Sequence, residues 1–135
     1  MSRSTEQNIL PARERVPFDL VFFGAWMIFS GFVDTYFILA NPQYALPVFG
    51  VKLGGPAGWF LKSIAPPIHF FLGYGALFAR RWAYLFLMGY SFYGLLNATV
   101  NRLFLPPPHR IRTIFIVGTI LFMGYLYWRR GRFKN

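Results

Sequence analysis

The sequence predicts an all-α polytopic membrane protein, with four transmembrane helices in an up-down bundle and the second helix kinked at Pro66-Pro67. Two observations lead there. Of 135 residues, 56% are hydrophobic and only 13% charged, too few solvating side chains for an ordinary water-soluble domain. The apolar residues also gather into four runs, each near the roughly 20 residues a span requires, separated by Pro-, Gly- or Arg-bearing breaks. A net charge of +10 raises nucleic acid as a partner, but the basic residues sit in clusters between hydrophobic runs and form no single stripe. Membrane topology accounts for them better. With no cysteine there is no disulfide framework, thiolate nucleophile or Cys-based metal site.

Residues 1–16 form a polar arm carrying Arg3, Arg13, Arg15, Glu6, Glu14 and Pro11. The run behind it is too long for a signal-peptide core, so the arm is expected to stay on the protein. The spanning domain covers residues 17–128. Its first helix, 18–40, opens after Pro17, stops at Asn41-Pro42, and rises about 34 Å, enough to cross a core of about 30 Å. Along it Gly24, Met27, Gly31 and Asp34 recur at helical spacing, a small-residue seam against which a neighbouring helix can pack closely.

Residues 41–55 contain Pro42, Pro47, Gly50, Gly54 and Gly55, too many breakers for a helix. With Tyr44, Leu46, Val48 and Phe49 among them, this connector is expected at the headgroup level or against a partner.

The second helix, 56–78, carries Lys62, Pro66, His69, Gly73 and Ala76 on one face. Lys and His are costly in hydrocarbon, so that face is expected to look inward. Pro66 and Pro67 free backbone carbonyls, for which Lys62, a neighbouring Asn or a water is the expected donor. The short Arg80-Arg81-Trp82 turn makes the second and third helices antiparallel neighbours. The third, 83–105, aligns Tyr90, Tyr93, Asn97 and Asn101, with Arg102 beside them, and ends at Pro106-Pro107-Pro108. The fourth, 111–128, has few interior polar groups and precedes a basic tail, 129–135.

Arg3, Arg13, Arg15, Arg80, Arg81, Arg129, Arg130, Arg132 and Lys134 fall on one side of such a bundle, against Lys52, Lys62, Arg102, Arg110 and Arg112 on the other. The positive-inside rule then puts both termini in the cytoplasm of a bacterial inner membrane.

Up-down connectivity brings Asp34, Lys62, Asn97, Asn101 and Arg102 to one level on the non-cytoplasmic side. Asp34 is expected to pair with Lys62 or Arg102, since an unpaired buried charge is costly. Interhelical glue is the structural reading of this cluster; a small binding pocket, or an ion or proton station open to the outside, is the functional one. His69 has two readings as well. A neutral imidazole can ligate the metal of a haem or chlorophyll, but a lone His is favoured here as a core residue bonded to a carbonyl freed at Pro66-Pro67. The Gly54-Gly55-Pro56-Ala57-Gly58 stretch lacks the Lys-Ser/Thr ending of a phosphate loop. Asp19 sits at the cytoplasmic edge, near a helix N-terminus that favours its charge. No metal-spaced ligands, paired carboxylates or Ser/His/Asp set stands out, so an enzyme ranks lowest.

The Arg80-Arg81-Trp82-Ala83 turn between apolar helices resembles a hairpin of small bacterial four-helix integral membrane proteins of uncharacterised function. By class, the aromatic-rich make-up is similar to accessory subunits of photosynthetic and respiratory complexes. With no convergent catalytic groups, and with Phe/Tyr-rich helices, an apolar connector and two basic tails as contact surface, the expected function is a non-catalytic subunit that stabilises a larger energy-transducing assembly. Its expected contacts are Tyr44, Leu46, Val48 and Phe49 together with Arg129, Arg130 and Arg132. The alternative is a transporter or channel component, oligomeric and working through the Asp34/Lys62/Asn97 region. No metal or other cofactor is expected; a bound pigment or lipid is compatible with either reading.

Overall fold

Pro17 has no N–H to leave unsatisfied, and its carbonyl accepts from the amides of Leu20 and Val21, which starts helix α1 (Phe18–Ala40). Asn41 closes α1 by donating its amide to Phe37, and Pro42 prevents continuation. In this computed structural model, which describes residues 15–134, there follow strands β1 (Leu46–Val48) and β2 (Val51–Leu53), then helices α2 (Gly55–Leu77), α3 (Arg81–Phe104) and α4 (Arg110–Arg129) and a short 3-10 turn, Arg130–Arg132. Nearly all of the N-terminal arm expected over residues 1–16 lies outside the described residues. The four helices fall where the hydrophobic runs predict, within two residues at each end. Helix α2 continues without interruption through Pro66 and Pro67.

The end of α2 shows how the short turn is made. Ala79 takes a positive φ of 47°, its amide donates to Ala76 and the next amide, Arg80, reaches back to Gly75 at 2.9 Å. That is a Schellman cap with alanine in the place usually held by glycine. It reverses the chain at once into α3.

Packing of α1 on α2 uses the small-residue seam. Gly24 faces Gly73 so closely that a methyl group on either would lie 2.8 Å from the other's carbonyl oxygen, and one on Gly31 would meet the Phe70 ring at 2.9 Å. The second-helix face picked out by spacing does turn inward: Lys62, Pro66, Gly73 and Ala76 are buried and His69 is half-buried. α3 packs mainly on α4, with a narrower contact between α2 and α3.

The hydrophobic core lies at one end. Leu20, Leu72, Ala76, Ala79, Ala83, Leu87, Leu126 and Phe133 form it. In an up-down arrangement these all belong to the end that carries the termini. At the same end the Asp19 carboxylate accepts from the Tyr125 hydroxyl at 2.7 Å and lies 2.8 Å from Arg129 Nε, joining α1 to α4 across 106 residues of sequence. Nε approaches off its N–H direction, so the Arg129 contact is an ion pair without a linear hydrogen bond.

The opposite end is held by the connector, which is no helix, as its breakers predict, but a β-hairpin. Leu46 pairs with Leu53 and Val48 with Val51, antiparallel. Phe49 and Gly50 form its turn, both with positive φ, 44° and 83°, as a type I′ turn demands. Phenylalanine is an unusual occupant of that conformation, which costs a non-glycine residue on the order of 1–3 kcal/mol. Asn97 and Asn101, one turn apart on α3, hold it there. The Phe49 amide donates to Asn97 Oδ1 at 2.8 Å and the Gly50 amide to Asn101 Oδ1 at 2.6 Å; both side-chain amides return a bond to the Pro47 carbonyl. Tyr93, one turn further along α3, meets the Phe49 ring edge-on.

Two helices, α1 and the α4 segment Arg110–Arg132, are long and apolar enough to cross a membrane. Large apolar side chains cover the outside, among them Phe18, Phe22, Phe32 and Tyr36 on α1 and Ile111, Ile114 and Leu121 on α4, each more than half exposed.

Candidate binding cavity and polar cluster

Helices α1 and α2 separate beyond Gly31 and Phe70, and a cavity of about 460 Å³ opens between them and the hairpin, with Tyr90 of α3 contributing to its wall. Its lining is layered. Asn41, Tyr44, Leu46 and Lys62 stand at the hairpin end, Phe37, Ile38, Leu61 and Ala65 in the middle, and Asp34, His69 and Tyr90 at the floor. Asn41 is seven residues from Asp34 on α1, and His69 is seven from Lys62 on α2, so each helix sets the two polar layers about 10 Å apart at 1.5 Å per residue.

At the floor Asp34 Oδ2 lies 2.6 Å from His69 Nδ1, with side-chain exposures of 37% and 18%. The N–H of Nδ1 is not aimed at the oxygen, so this is a close electrostatic pair, bent away from ideal hydrogen-bond geometry. Tyr90 meets the imidazole edge-on at 5.8 Å. At the mouth Lys62, only 6% exposed, donates to the carbonyl oxygens of Tyr44 at 2.5 Å and Pro42 at 3.4 Å. Its ammonium also lies 5.7 Å from the centre of the Tyr44 ring, within cation–π range.

Three expectations are corrected here. Asp34 pairs with His69, not with Lys62 or Arg102, because the Gly24/Gly73 seam fixes the register of α1 on α2 and sets residues 34 and 69 side by side. Lys62 does not serve the carbonyls freed by Pro66 and Pro67; its long stem reaches back toward the N-terminus of α2, where residues 42 and 44 leave the ladder and offer their oxygens. His69 does not bond such a carbonyl either. With Nδ1 held by a carboxylate, any macrocycle metal would have to take Nε2, the arrangement by which acidic groups orient imidazole ligands.

The five residues of the expected cluster divide among three places. Asp34 and Lys62 line the cavity, Asn97 and Asn101 clamp the hairpin, and Arg102 donates from Nε to Thr113 Oγ1 at 3.0 Å on the exposed face where α3 meets α4. His69 joins the first group, so three titratable side chains of α1 and α2, with Tyr90, do converge on one cavity. Of the expected contact residues, Tyr44 and Phe49 are exposed, whereas Leu46 and Val48 are half-buried. Arg129 is engaged with Asp19 and lies over the Trp128 ring, and Arg130 lies over Tyr127; Arg132 is exposed. No group of three or more His, Cys, Asp or Glu among the described residues could hold a metal ion.

Among the described residues, fold and site together comprise four long helices with an aromatic outer surface, two of them long and apolar enough to cross a membrane, and a layered cavity. Comparison with protein-family models, with curated proteins and with solved structures finds no match.

Proposed function

We propose that the chain is a four-span integral membrane protein, both termini cytoplasmic, that serves as a non-catalytic subunit of a larger, energy-transducing membrane assembly. For the spans, α2 and α3 are as long as α1, at 23 and 24 residues. Within them Lys62 and Asn101 are buried, Arg81 and Arg102 lie exposed near the two ends of α3, and Phe60, Phe71, Leu85, Phe86 and Phe92 face outward. Reporters fused after Asn135 and at Arg80-Arg81 should read cytoplasm, and one inserted at Lys52 should read outside; the reverse pattern would overturn the orientation.

The observation that carries the subunit reading is that the main core cluster sits at one end. Toward the hairpin, α3 and α4 leave Leu103, Phe104, Ile111 and Ile114 more than two-thirds exposed among the described residues. Lipid can cover such faces, but a partner helix can pack on them. The exposed Tyr44 and Phe49 at the hairpin and Arg132 on the tail offer further contacts. Extraction in a mild detergent should bring the protein out with larger partners. A monomer without partners would sink the reading.

A specific observation favours a second reading. The cavity places Asp34, His69 and Lys62 around one space, as a transporter or channel component would need, and a discrete homo-oligomer in the same extraction supports it.

A further inference from the structure

The cavity has a polarity that no lipid tail matches. Its mouth carries a buried cation and its middle is apolar. Its floor carries a carboxylate. Lys62 is more than nine-tenths buried, yet no carboxylate among the described residues lies within ion-pair distance of it; two backbone carbonyls take two of the three hydrogens of its ammonium. A desolvated cation held only by neutral dipoles is expensive and is relieved by an anion. At the floor, Asp34 uses Oδ2 for His69, and no described residue donates to Oδ1. That oxygen can accept from a ligand. Between the two layers lie Phe37, Ile38, Leu61 and Ala65, which offer nothing polar and favour a hydrocarbon segment. The volume of about 460 Å³ lies within the range of roughly 300–1,000 Å³ usual for small-molecule sites.

We propose that this cavity binds a linear, two-headed molecule: an anionic end, carboxylate or phosphate, at Lys62, a short apolar chain past Ile38 and Ala65, and an amine or hydroxyl donor at Asp34. A simple fatty acid satisfies Lys62 but leaves Asp34 without a donor. A simple alkylamine does the opposite. The inference needs only the cavity; it does not depend on the subunit reading.

The test uses the full chain in lipid nanodiscs and calorimetric binding of three probes of equal chain length: ω-aminooctanoate, octanoate and octylamine. ω-Aminooctanoate should bind at least about tenfold more tightly than either one-headed probe. Lys62→Gln should remove its advantage over octylamine, and Asp34→Asn its advantage over octanoate. Because Lys62 also supports the hairpin, Ala65→Phe provides the independent check: it fills the middle layer, leaves every polar group of the two layers in the sequence, and should abolish binding of all three probes while the helical circular dichroism is retained. Equal binding of the three probes by the unaltered protein, no binding of ω-aminooctanoate, or undiminished binding by Ala65→Phe would each overturn the proposal. Co-purification with a larger assembly would neither support nor oppose it, so the two readings fail separately.

Discussion

Gly24→Leu or Gly73→Leu is expected to unfold the α1–α2 pair outright. At Gly24 the first side-chain carbon alone would meet the Gly73 carbonyl and the Leu77 amide, each at 2.8 Å; at Gly73 it would meet Ile28 at 2.7 Å and the Gly24 carbonyl at 2.8 Å. Backbone cannot step aside as a side-chain tip can, so the helices must separate by more than an ångström along their length. Overpacking of a core costs about 1–3 kcal/mol where side chains can shift, and more where the obstacle is main chain. Separation would also pull Asp34 from His69 and widen the cavity. Even Gly24→Ala should lower stability measurably in an SDS-unfolding titration. Gly89→Ala and Gly124→Ala are the controls: nothing lies near the added methyl in either, and they should unfold at the same SDS fraction as the parent or later. A Gly24→Leu protein as stable as the Gly89→Ala control would mean that this seam does not hold the helices together.

The same seam marks how far the sequence could be read. Gly24, Gly31, Gly73 and the inward face of α2 were legible because close helix packing leaves a periodic trace, small residues at intervals of three and four. Helix ends were legible from Pro17, Asn41-Pro42 and the three prolines after Leu105. Partner choice was not. Asp34 had Lys62 and Arg102 as cationic candidates at its level, and only the rotational register of α1 on α2 brings His69 to it instead. That register depends on van der Waals contact between two glycines, which carries no charge signal. The hairpin left little trace for a different reason: Phe49-Gly50 breaks the usual Asn-Gly preference of its turn, since the asparagines that satisfy its amides are supplied by α3, about fifty residues away. Asp19, Tyr125 and Arg129 were hidden by a still longer separation. The paired seven-residue intervals, Asp34 to Asn41 and Lys62 to His69, were present in the sequence and could have disclosed the layers of the cavity, had the two helices been compared face to face.

Asn101→Leu is expected to release the hairpin from the bundle while leaving the four helices formed. Asn101 is 4% exposed, and its side chain serves two backbone groups at once: it accepts from the Gly50 amide at 2.6 Å and donates to the Pro47 carbonyl at 3.1 Å. Leucine keeps the volume and removes both bonds, stranding the Gly50 amide and leaving the Pro47 carbonyl only its long bond from Asn97, in a partly dry setting where each unsatisfied group costs about 1–3 kcal/mol. A loss of about 2–4 kcal/mol is more than the hairpin's own three-residue strands can absorb, since an isolated two-stranded hairpin is marginal at best. Asn97→Leu should cost less, because its bond to Pro47 is long, at 3.4 Å, and the Phe49 amide it serves is exposed. Hydrogen exchange reads the difference directly. In the parent protein the Gly50 amide should be protected; in Asn101→Leu it should exchange at nearly the rate of an open loop, and proteolysis should cut between Phe49 and Lys52. Release of the hairpin also takes Tyr44 from Lys62, so the cation at the cavity mouth would lose its closest carbonyl. Binding of ω-aminooctanoate should therefore weaken in Asn101→Leu although Asn101 does not line the cavity. If the Gly50 amide stays protected in that variant, the hairpin stands without Asn101, and the hairpin end of the bundle is organised by Asn97 and Lys62.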